Sequence, residues 1–534
     1  MTWALLLALQ TALESGLAAE RDGRHADAVQ LLEPVMRDAP TYEGLVALGL
    51  AQARMGQNDE ARATFERAIH LDPRRPEALV ERSGLDFVEK RYAAAADGLG
   101  RALALRDDAY ARDLRASALQ LQGRSEEALD EWNRLGQPRL ADVRFTGLVK
   151  TRDRVARREL ALGEGQLLRA DAFRETRLRL REVGVFPIVR LRAVPRDDRR
   201  ADVEIALTER HGFGSWKEVL ASTAYNAFRE QVRLRYFNVG GEGIALRGEY
   251  KWERTQPHVL GWVSWPRPLG LPARLIVLGL RARPEYALGD GPLTLRTKGA
   301  DVSLRRVFGP RTVIEAGWRL RERTFSRSRP DAPEGTLSQA TLRIERSLLE
   351  TSRLKLEAFL DAASAPRALG SDVRFSQGTL GLRYEHELSA PDDRALSPST
   401  LAARMLYGRG GDGMPVDAMY VPGAGAEVLY PLRGHDQKDG GVLGGSPIGR
   451  SLALLNVEWR RRLWARPAAQ VGMVAFGDVI QITRTAQGPD QSLADVGLGL
   501  RVGWSGSRVF RVDYGHSLSG DGKSAWSAGY GQAF

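Results

Sequence analysis

The chain has 534 residues, which is enough for several domains, and 43% of them are hydrophobic while 27% are charged. Its longest early apolar stretch is far shorter than the roughly 20 residues that a spanning helix needs, which argues against membrane insertion through helices. The lack of cysteine excludes disulfides, thiolate catalysis and cysteine-ligated metals, and the net charge of +11 comes largely from arginines that alternate along strand-like segments, which argues against nucleic acid as a partner.

Residues 1–12 have the character of a partial export signal. Their sequence, MTWALLLALQTA, is apolar but has no lysine or arginine ahead of the apolar run. The stretch also continues into the first helix of the repeat that follows. We therefore expect either a different natural start or a cleavage site unusually close to the folded chain.

Residues 9–138 contain an internal repeat. Small residues recur at spacings of 33, 34 and 33 positions, at Ala28, Ala61, Ala95 and Ala128. Glycines five positions before an alanine, and prolines twelve positions after one, predict a helix, a turn and a second helix in each repeat. The pattern resembles the tetratricopeptide repeat (TPR), which implies an α-helical solenoid of four copies. Its concave groove would bind a peptide or a periplasmic or accessory protein, or the solenoid would be a scaffold packed against the rest of the chain.

Residues 139–212 lose the helical-repeat period and predict the order β-α-α-β-β. ADVRFTGL predicts a strand, VARRELAL and ADAFRETRLRLREVG predict two helices, and FPIVRLRAVP and ADVEIALTE predict two alternating strands. This order, with Gly147, Gly184 and Glu209 at the ends of elements, resembles a polypeptide-transport-associated (POTRA) domain. The resemblance implies either an edge strand that captures an extended client by strand addition, or a spacer between the repeats and the C-terminal region.

Residues 216–534 alternate with a period of two. One segment places Ile244, Leu246, Tyr250 and Trp252 on one parity and Arg247, Glu249 and Lys251 on the other. About sixteen such segments follow one another, the first beginning near Lys217, without a clear intervening helix. Because every strand edge must be paired in lipid, this persistence predicts a 16-stranded antiparallel transmembrane β-barrel with lipid outside and a polar lumen.

The last predicted strand, SAWSAGYGQAF, ends in aromatic residues. Trp526, Tyr530 and Phe534 share one parity. A terminal aromatic residue on such a strand resembles the C-terminal signal of proteins that are handed to the barrel-assembly machinery. The chain as a whole is therefore expected to be a multidomain membrane protein.

A long glycine-rich connection, from about Gly408 to Gly449, contains PLRGHDQKDGGVLGG and precedes the last strands. The following strands, SLALLNVEWRRRL and AQVGMVAFGDVIQI, turn Glu458, Phe476 and Asp478 inward by their parity. This combination resembles the BamA and TamA family of outer-membrane assembly and translocation proteins, also called bacterial surface antigens, in which an R-G-F or R-G-Y loop tip folds back into the barrel.

The resemblance implies a loop-to-lumen lock, formed by Arg433, Gly434, Glu458, Phe476 and Asp478. In it Arg433 is the tip arginine, Gly434 its turn partner, Asp478 the strand carboxylate that receives it and Glu458 a second acceptor. A buried guanidinium requires carboxylate partners, which fits this pairing. The chain departs from the family pattern in two ways, because His435 replaces the aromatic tip residue and no glycine follows Asp478.

No P-loop, clustered histidine ligands or nucleophile constellation is evident, so we expect no enzyme activity, catalytic residue, cofactor or metal. The resemblance implies protein assembly, insertion or translocation at the outer membrane of a Gram-negative bacterium, with the N-terminal domains in the periplasm. Its partners would be outer-membrane lipid and unfolded or extended polypeptide clients. The alternatives are a polysaccharide export channel that joins TPRs to a barrel, and an outer-membrane anchor that displays the repeats as an interaction platform.

Overall fold

The computed structural model describes the chain apart from Met1 and residues 197, 215–222, 224, 228, 352, 390–395, 426–427, 467–468 and 505–507. The chain divides into two compact units. Unit 1 consists of Met1–Thr146, Ala161–Arg177 and Arg190–Ala206, and unit 2 of Gly147–Leu160, Leu178–Val189 and Leu207–Phe534. None of the helices in the described parts of the chain is both long and apolar enough to cross a bilayer.

Unit 1 begins with eight helices, each packed against the next. The small residues of the repeat period are fully buried, at Ala28, Ala61, Ala95 and Ala128. Gly49 is small for the same reason, since a Cβ there would lie 2.6 Å from the ring of Phe65. These helices confirm the predicted N-terminal helical repeats. Their bounds are α1 (Thr2–Arg21), α2 (His25–Asp38), α3 (Tyr42–Arg54), α4 (Asn58–Leu71), α5 (Glu77–Val88), α6 (Tyr92–Leu105), α7 (Ala109–Leu121) and α8 (Ser125–Arg134).

A three-stranded sheet with two helices follows α8, in the predicted βααββ order. The elements are β1 (Arg139–Thr146), α9 (Asp153–Arg157), α10 (Ala170–Glu182), β2 (Ile188–Pro195) and β3 (Arg200–Thr208). The strand order is β1–β3–β2, and β1 pairs with β3 in parallel. Val203 and Ile205 on the central strand have no exposed surface. The edges of this sheet are therefore β1 and β2.

Unit 2 contains a large antiparallel sheet of many strands. Fifteen long strands are described, and each pairs with the next long strand along the chain. They are β4 (Gln231–Val239), β5 (Ile244–Lys251), β6 (His258–Pro266), β7 (Arg274–Ala282), β9 (Gly291–Phe308), β10 (Thr312–Phe325), β11 (Gly335–Glu350), β12 (Leu354–Ala365), β13 (Phe375–Glu387), β14 (Ser399–Gly410), β19 (Gly449–Ala465), β20 (Ala469–Thr485), β21 (Gln491–Trp504), β22 (Arg508–Ser517) and β23 (Ser524–Tyr530). Five short strands lie in the connections: β8 (Glu285–Leu288), β15 (Gly423–Ala424), β16 (Pro431–Asp436), β17 (Lys438–Asp439) and β18 (Val442–Leu443). The strand predicted to begin near Lys217 lies outside the described residues.

The two faces of this sheet differ in chemistry, as a period of two requires. On β19, Leu455 and Trp459 are exposed while Glu458 is buried. We call the side of Leu455 the apolar face and the side of Glu458 the polar face. Ion pairs join neighbouring strands by their charged side chains, as between Arg233 and Glu249, whose Nε and Oε2 atoms are 2.6 Å apart. The alternating arginines of the sequence therefore serve as partners for carboxylates on adjacent strands.

Glu209, directly after β3, holds a backbone segment of unit 2 beside the start of the large sheet. Its carboxylate accepts hydrogen bonds from the backbone N–H groups of Val149, Lys150 and Thr151, the first over 2.8 Å, and from Nδ2 of Asn238 over 2.7 Å. The side chain of Glu209 has no exposed surface. Burial alone raises the pKa of this carboxyl, but the hydrogen bonds outweigh burial and leave the pKa below its ordinary value.

Replacing Glu209 by Gln should loosen this junction. The amide turns an NH2 group toward backbone donors, so we expect a local loss of about 1–3 kcal/mol and faster hydrogen exchange in residues 147–152, measured by mass spectrometry. Because the folded pKa of Glu209 is lowered, its stabilisation is present above the unfolded value of about 4.3 and is lost as the pH falls. The local stability of residues 147–152 should therefore become the same in wild type and in Glu209→Gln as the pH is lowered.

Glu204→Gln, at an exposed position of β3, is the matched control and should exchange like the wild type. Equal protection of residues 147–152 in Glu209→Gln and wild type at neutral pH would contradict the role assigned to Glu209.

Candidate functional site

The connection between β14 and β19, residues 411–448, returns the short strand β16 to the polar face of the large sheet. The five residues from Pro431 to His435 are all buried. β16 packs against β20, β21, β22 and β23. Its side chains therefore meet the polar groups that the strand period turns toward this face.

Arg433 is only 1% exposed, and acceptors surround its guanidinium. Nε and Nη2 donate to the two carboxylate oxygens of Asp478 over 2.8 and 2.7 Å, which is a bidentate pairing. Nη1 donates to Glu458. The guanidinium carbon lies 3.6 Å from the ring centre of Phe476, a cation–π contact. The structure thus brings Arg433, Glu458, Phe476 and Asp478 together, while their role as a loop-to-lumen lock stays a prediction.

Both carboxylates have further partners, which reduces the cost of burying them. Nδ2 of Asn456 donates to Asp478 over 2.7 Å and to the carbonyl of Pro431 over 2.9 Å. Nε of Arg460 donates to Glu458 over 2.7 Å. Asn456 and Arg460 have the strand parity of Glu458, which places them on the polar face, but nothing in the sequence assigned them a role. A buried ion pair is stable only when such additional hydrogen bonds satisfy it.

Two glycines allow the backbone of β16 to approach the strands. Gly434, the fifth residue of the predicted lock, donates its N–H to Asp495. A Cβ at Gly434 would lie 2.6 Å from the carboxyl carbon of Asp495, and a Cβ at Gly515 would lie 2.2 Å from the carbonyl oxygen of Arg433. Larger residues at either position would push Arg433 away from its acceptors.

His435 makes contacts that the sequence analysis missed. Its ring is completely buried, with Nδ1 2.9 Å from Asp495 and Nε2 2.7 Å from Asp521. The sequence marked His435 only as a departure from the family pattern. Parity could have placed Asp495 on the polar face of β21, but no local signal identifies Asp521, which lies in a connection 86 residues away.

The C-terminal aromatic residues do not all share one face. Trp526 and Tyr530 are on the apolar face, 69% and 37% exposed. β23 ends at Tyr530, and Gly531 has a φ of +86°. Beyond it, the backbone oxygen of Phe534 accepts a hydrogen bond of 3.2 Å from the polar-face residue Arg460. The prediction that Phe534 shares the parity of Trp526 is therefore wrong, because the strand ends before Phe534.

An apolar cluster packs beside β16. Leu432, next to Arg433, has no exposed surface and belongs to this cluster. Its other members come largely from connections and strand ends on the same side of the sheet, and they include Tyr286, Leu293, Phe325, Val373, Met414, Val416, Tyr420, Ile448 and Ile480. β16 is therefore held by ionic contacts at Arg433 and by apolar packing at Leu432.

The described residues contain no group of three or more His, Asp or Glu side chains arranged to hold a metal ion. What the site does offer chemically is a set of charge-assisted hydrogen bonds from one connection to three strands, β19, β20 and β21, and to Asp521. Such an arrangement fixes the position of a chain segment.

Two segments match known families. Residues 19–79 match the tetratricopeptide repeat, and residues 138–210 match the surface antigen variable number repeat, which is the POTRA domain. The predicted resemblances to TPRs and to a POTRA domain are therefore confirmed, while the predicted domain limits and the count of four repeats stay predictions. No curated protein matches the sequence.

Solved structures that are similar to this chain include the following three. BamA from Haemophilus ducreyi lacking POTRA domains 1–3 is 14% identical, over 73% of this chain and 83% of that chain, with a TM-score of 0.43. CdiB from Escherichia coli is 13% identical, over 74% and 75%, with a TM-score of 0.49. MamA of MSR-1 is 24% identical, over 23% and 73%, with a TM-score of 0.22. The chain is thus a protein in which tetratricopeptide repeats and a POTRA domain precede a large antiparallel sheet.

Removing the guanidinium of Arg433 should release residues 411–448. Arg433→Ala leaves Asp478 buried without its cation and Glu458 with the hydrogen bond from Arg460, which costs roughly 3–5 kcal/mol. We expect limited proteolysis, followed by mass spectrometry, to cut this connection in the variant while it stays protected in the wild type. Arg433→Lys should be intermediate, because an ammonium cannot replace a bidentate guanidinium.

The matched control is Arg327→Ala, which removes an arginine whose partner Asp290 is half exposed on another connection. That variant should leave residues 411–448 protected. In a double-mutant cycle, Arg433→Ala with Asp478→Ala should cost less than the sum of the single changes. Protection of the connection in Arg433→Ala equal to that in wild type would refute the assignment.

Proposed function

We propose that this chain is an outer-membrane protein of the BamA and TamA type, which inserts polypeptides into the membrane or translocates them across it. One observation carries the proposal. Arg433, on a connection between two strands, lies buried against Asp478 and Glu458 on the polar face of a large sheet, in a chain that also contains a POTRA domain. This is the pairing that the resemblance of the R-G tip to that family implies.

The apolar face supports contact with outer-membrane lipid. Trp318 on β10 is 46% exposed and Trp526 on β23 is 69% exposed, and apolar side chains on most of the strands between them are exposed too. Leaving apolar surface in water costs roughly 25 cal/mol per Å², so a face of this extent is favourable only against another apolar phase. Alternation of this face with a charged one is the pattern of strands in outer-membrane barrels.

The strand order supports closure of the sheet into a barrel, because it returns from β23 to β4. The predicted count of sixteen stays a proposal, because fifteen long strands are described and the strand predicted near Lys217 lies outside the described residues. We propose the predicted domain limits for the functional protein: repeats at 9–138, a POTRA-like domain at 139–212, both in the periplasm, and a transmembrane barrel at 216–534.

The packing around β16 favours an assembly or translocation protein over an open export channel. β16 and the apolar cluster next to Leu432 fill space on the polar face, where a wide aqueous pore would pass. The repeat-plus-barrel exporters also lack a POTRA domain, which this chain contains. An anchor that only displays the repeats stays the remaining alternative.

We propose that the POTRA domain holds the repeats in place through the β2 edge of its sheet. The N–H of Ala193 donates to Oγ of Ser125 over 3.3 Å, and Nε2 of Gln120 donates to the carbonyl of Ala193. Asn133 adds a bond of 3.0 Å to the carbonyl of Leu168. An extended client that added to β2 would need the same backbone groups of Ala193. We propose that polypeptide clients or accessory proteins bind the concave groove of the repeats instead.

The proposed activity requires no catalytic residue, cofactor or metal. Partners of the protein would be lipid on the apolar face and unfolded or extended polypeptides. Trp526 and Tyr530, exposed near the end of the chain, are proposed as part of its own strand signal, together with Phe534.

A deletion strain complemented with wild type or with Arg433→Ala tests the proposed function. We expect several outer-membrane barrel proteins, or one secreted protein, to fall at least threefold in the deletion strain and to be restored by wild type only. Quantitative mass spectrometry of the outer-membrane and secreted fractions measures this. Loss of several barrels indicates assembly, and loss of one secreted protein indicates dedicated translocation.

Arg327→Ala is the control and should complement fully. An unchanged proteome in the deletion strain would refute the proposal, and planar-bilayer conductance would then separate its alternatives. A steady large conductance of the purified protein would favour an export channel, and none would favour an anchor.

If the POTRA domain holds the repeats through β2, the repeats should slow hydrogen exchange along this edge. Replacing Gln120 and Ser125 together by Ala should speed hydrogen exchange of residues 190–195 by up to about thirtyfold, since each of the two lost bonds contributes roughly 1 kcal/mol, or about fivefold. Gln122→Ala, which removes bonds within the repeats only, should leave these amides unchanged. Unaltered exchange in the double variant would show that the repeats do not protect this edge.

A further inference from the structure

His435 joins three separate parts of the large sheet. It lies on the connection 411–448, its Nδ1 is 2.9 Å from Asp495 on β21, and its Nε2 is 2.7 Å from Asp521. Asp521 belongs to the connection 518–523, which joins β22 to β23. The ring therefore ties the tip next to Arg433 to the last hairpin of the chain.

Both partners of this ring are carboxylates, which fixes the charge that the ring must carry. An ionised carboxylate only accepts hydrogen bonds, so each ring nitrogen has to donate one. Only the imidazolium cation has two N–H groups. A neutral ring would turn a lone pair toward one of the two carboxylates, and repulsion would replace attraction around a ring that itself has no exposed surface.

The Asp521 carboxylate retains its charge beside the ring. Burial raises the pKa of Asp521, but its hydrogen bonds, including the one from His435, lower the pKa to about 2. Burial lowers the pKa of His435, but Asp495 and Asp521 outweigh burial and raise the pKa above its ordinary value of about 6.5. Other titratable groups on β16 and on the elements packed against it have partners of their own: Asp478 pairs with Arg433, Asp513 with Arg501 and Arg511, and His516 with Ser524. Lys523 lies 3.9 Å from Asp521. Asp436 is exposed.

We propose that His435 is a proton-dependent tie, which holds the last hairpin to the connection 411–448 while the ring is a cation and releases the hairpin when the ring loses a proton. The stabilisation is fully present below the unfolded pKa of about 6.5 and is lost as the pH rises through the raised folded value. The proposed tie is inferred from the contacts of His435 alone. Only its effect on the insertion or translocation of polypeptides rests on the proposed function. If that function holds, the hairpin that completes the barrel is held more firmly in acid than in alkali.

The distance between two spin labels, measured by double electron–electron resonance spectroscopy, tests the tie. The chain has no cysteine, so a label attaches only where one is introduced. Asp439→Cys places a label at an exposed position of the connection 411–448, and Leu518→Cys places one at an exposed position of the connection 518–523. In purified full-length protein in detergent we expect a narrow distance distribution at pH 6 and a broad one in most molecules at pH 9. Asp521→Asn should move the midpoint down by roughly one pH unit, since one of two attracting charges is lost.

His435→Gln and His435→Phe should both abolish the pH transition, and the phenylalanine variant also refills the site with an aromatic ring. His516→Gln is the matched control, because His516 lies in the same hairpin but bonds only Ser524 in the contacts described, and it should keep the transition. Heat-dependent gel mobility confirms that each variant is folded.

Identical wild-type distributions at pH 6 and pH 9 would overturn the proposal, as would a transition that survives in both His435 variants. The measurement contains no client. A negative result therefore leaves the proposed function standing, and failure of the proteome experiment leaves the tie standing.

Discussion

A guanidinium removed from water must be surrounded by acceptors, and much of unit 2 follows from this requirement at Arg433. Its acceptors, Glu458 and Asp478, come from the adjacent strands β19 and β20, so one side chain fixes a long connection to two strands at once. The residues beside it add different forces, since Leu432 packs in the apolar cluster and His435 binds two carboxylates. Three neighbouring positions of β16 thus resist displacement by independent means.

The same division of forces accounts for where the charged and apolar residues of the chain lie. Arginines on the polar face of the sheet are paired with carboxylates across strands, so a high charge content is compatible with tight packing. The opposite face is apolar and exposed, which is the observation behind the proposed contact with lipid. In unit 1 the forces are those of a soluble protein, with small residues such as Ala61 buried between helices and side-chain hydrogen bonds fixing the repeats to β2.

Local periodicity made much of the architecture predictable. The repeat spacing predicted the helices, and the strict alternation of strand side chains predicted that Glu458 and Asp478 share a face. Contacts that depend on the meeting of distant segments were not predictable, which is why Asp495 and Asp521 were missed as partners of His435. Parity also fails where a strand ends, and Phe534 was misplaced because β23 stops at Tyr530. The function of the assembled residues stays a prediction.

The central claim is that Arg433 lies inside a lipid-embedded sheet, bonded to strands on the polar face. A cryo-electron microscopy map of the full chain in lipid nanodiscs tests it most directly. The account predicts continuous density from the Arg433 guanidinium to Asp478 and Glu458, with the lipid belt around the apolar face that carries Trp318. A map in which residues 411–448 lie outside the sheet and Arg433 faces solvent would contradict it.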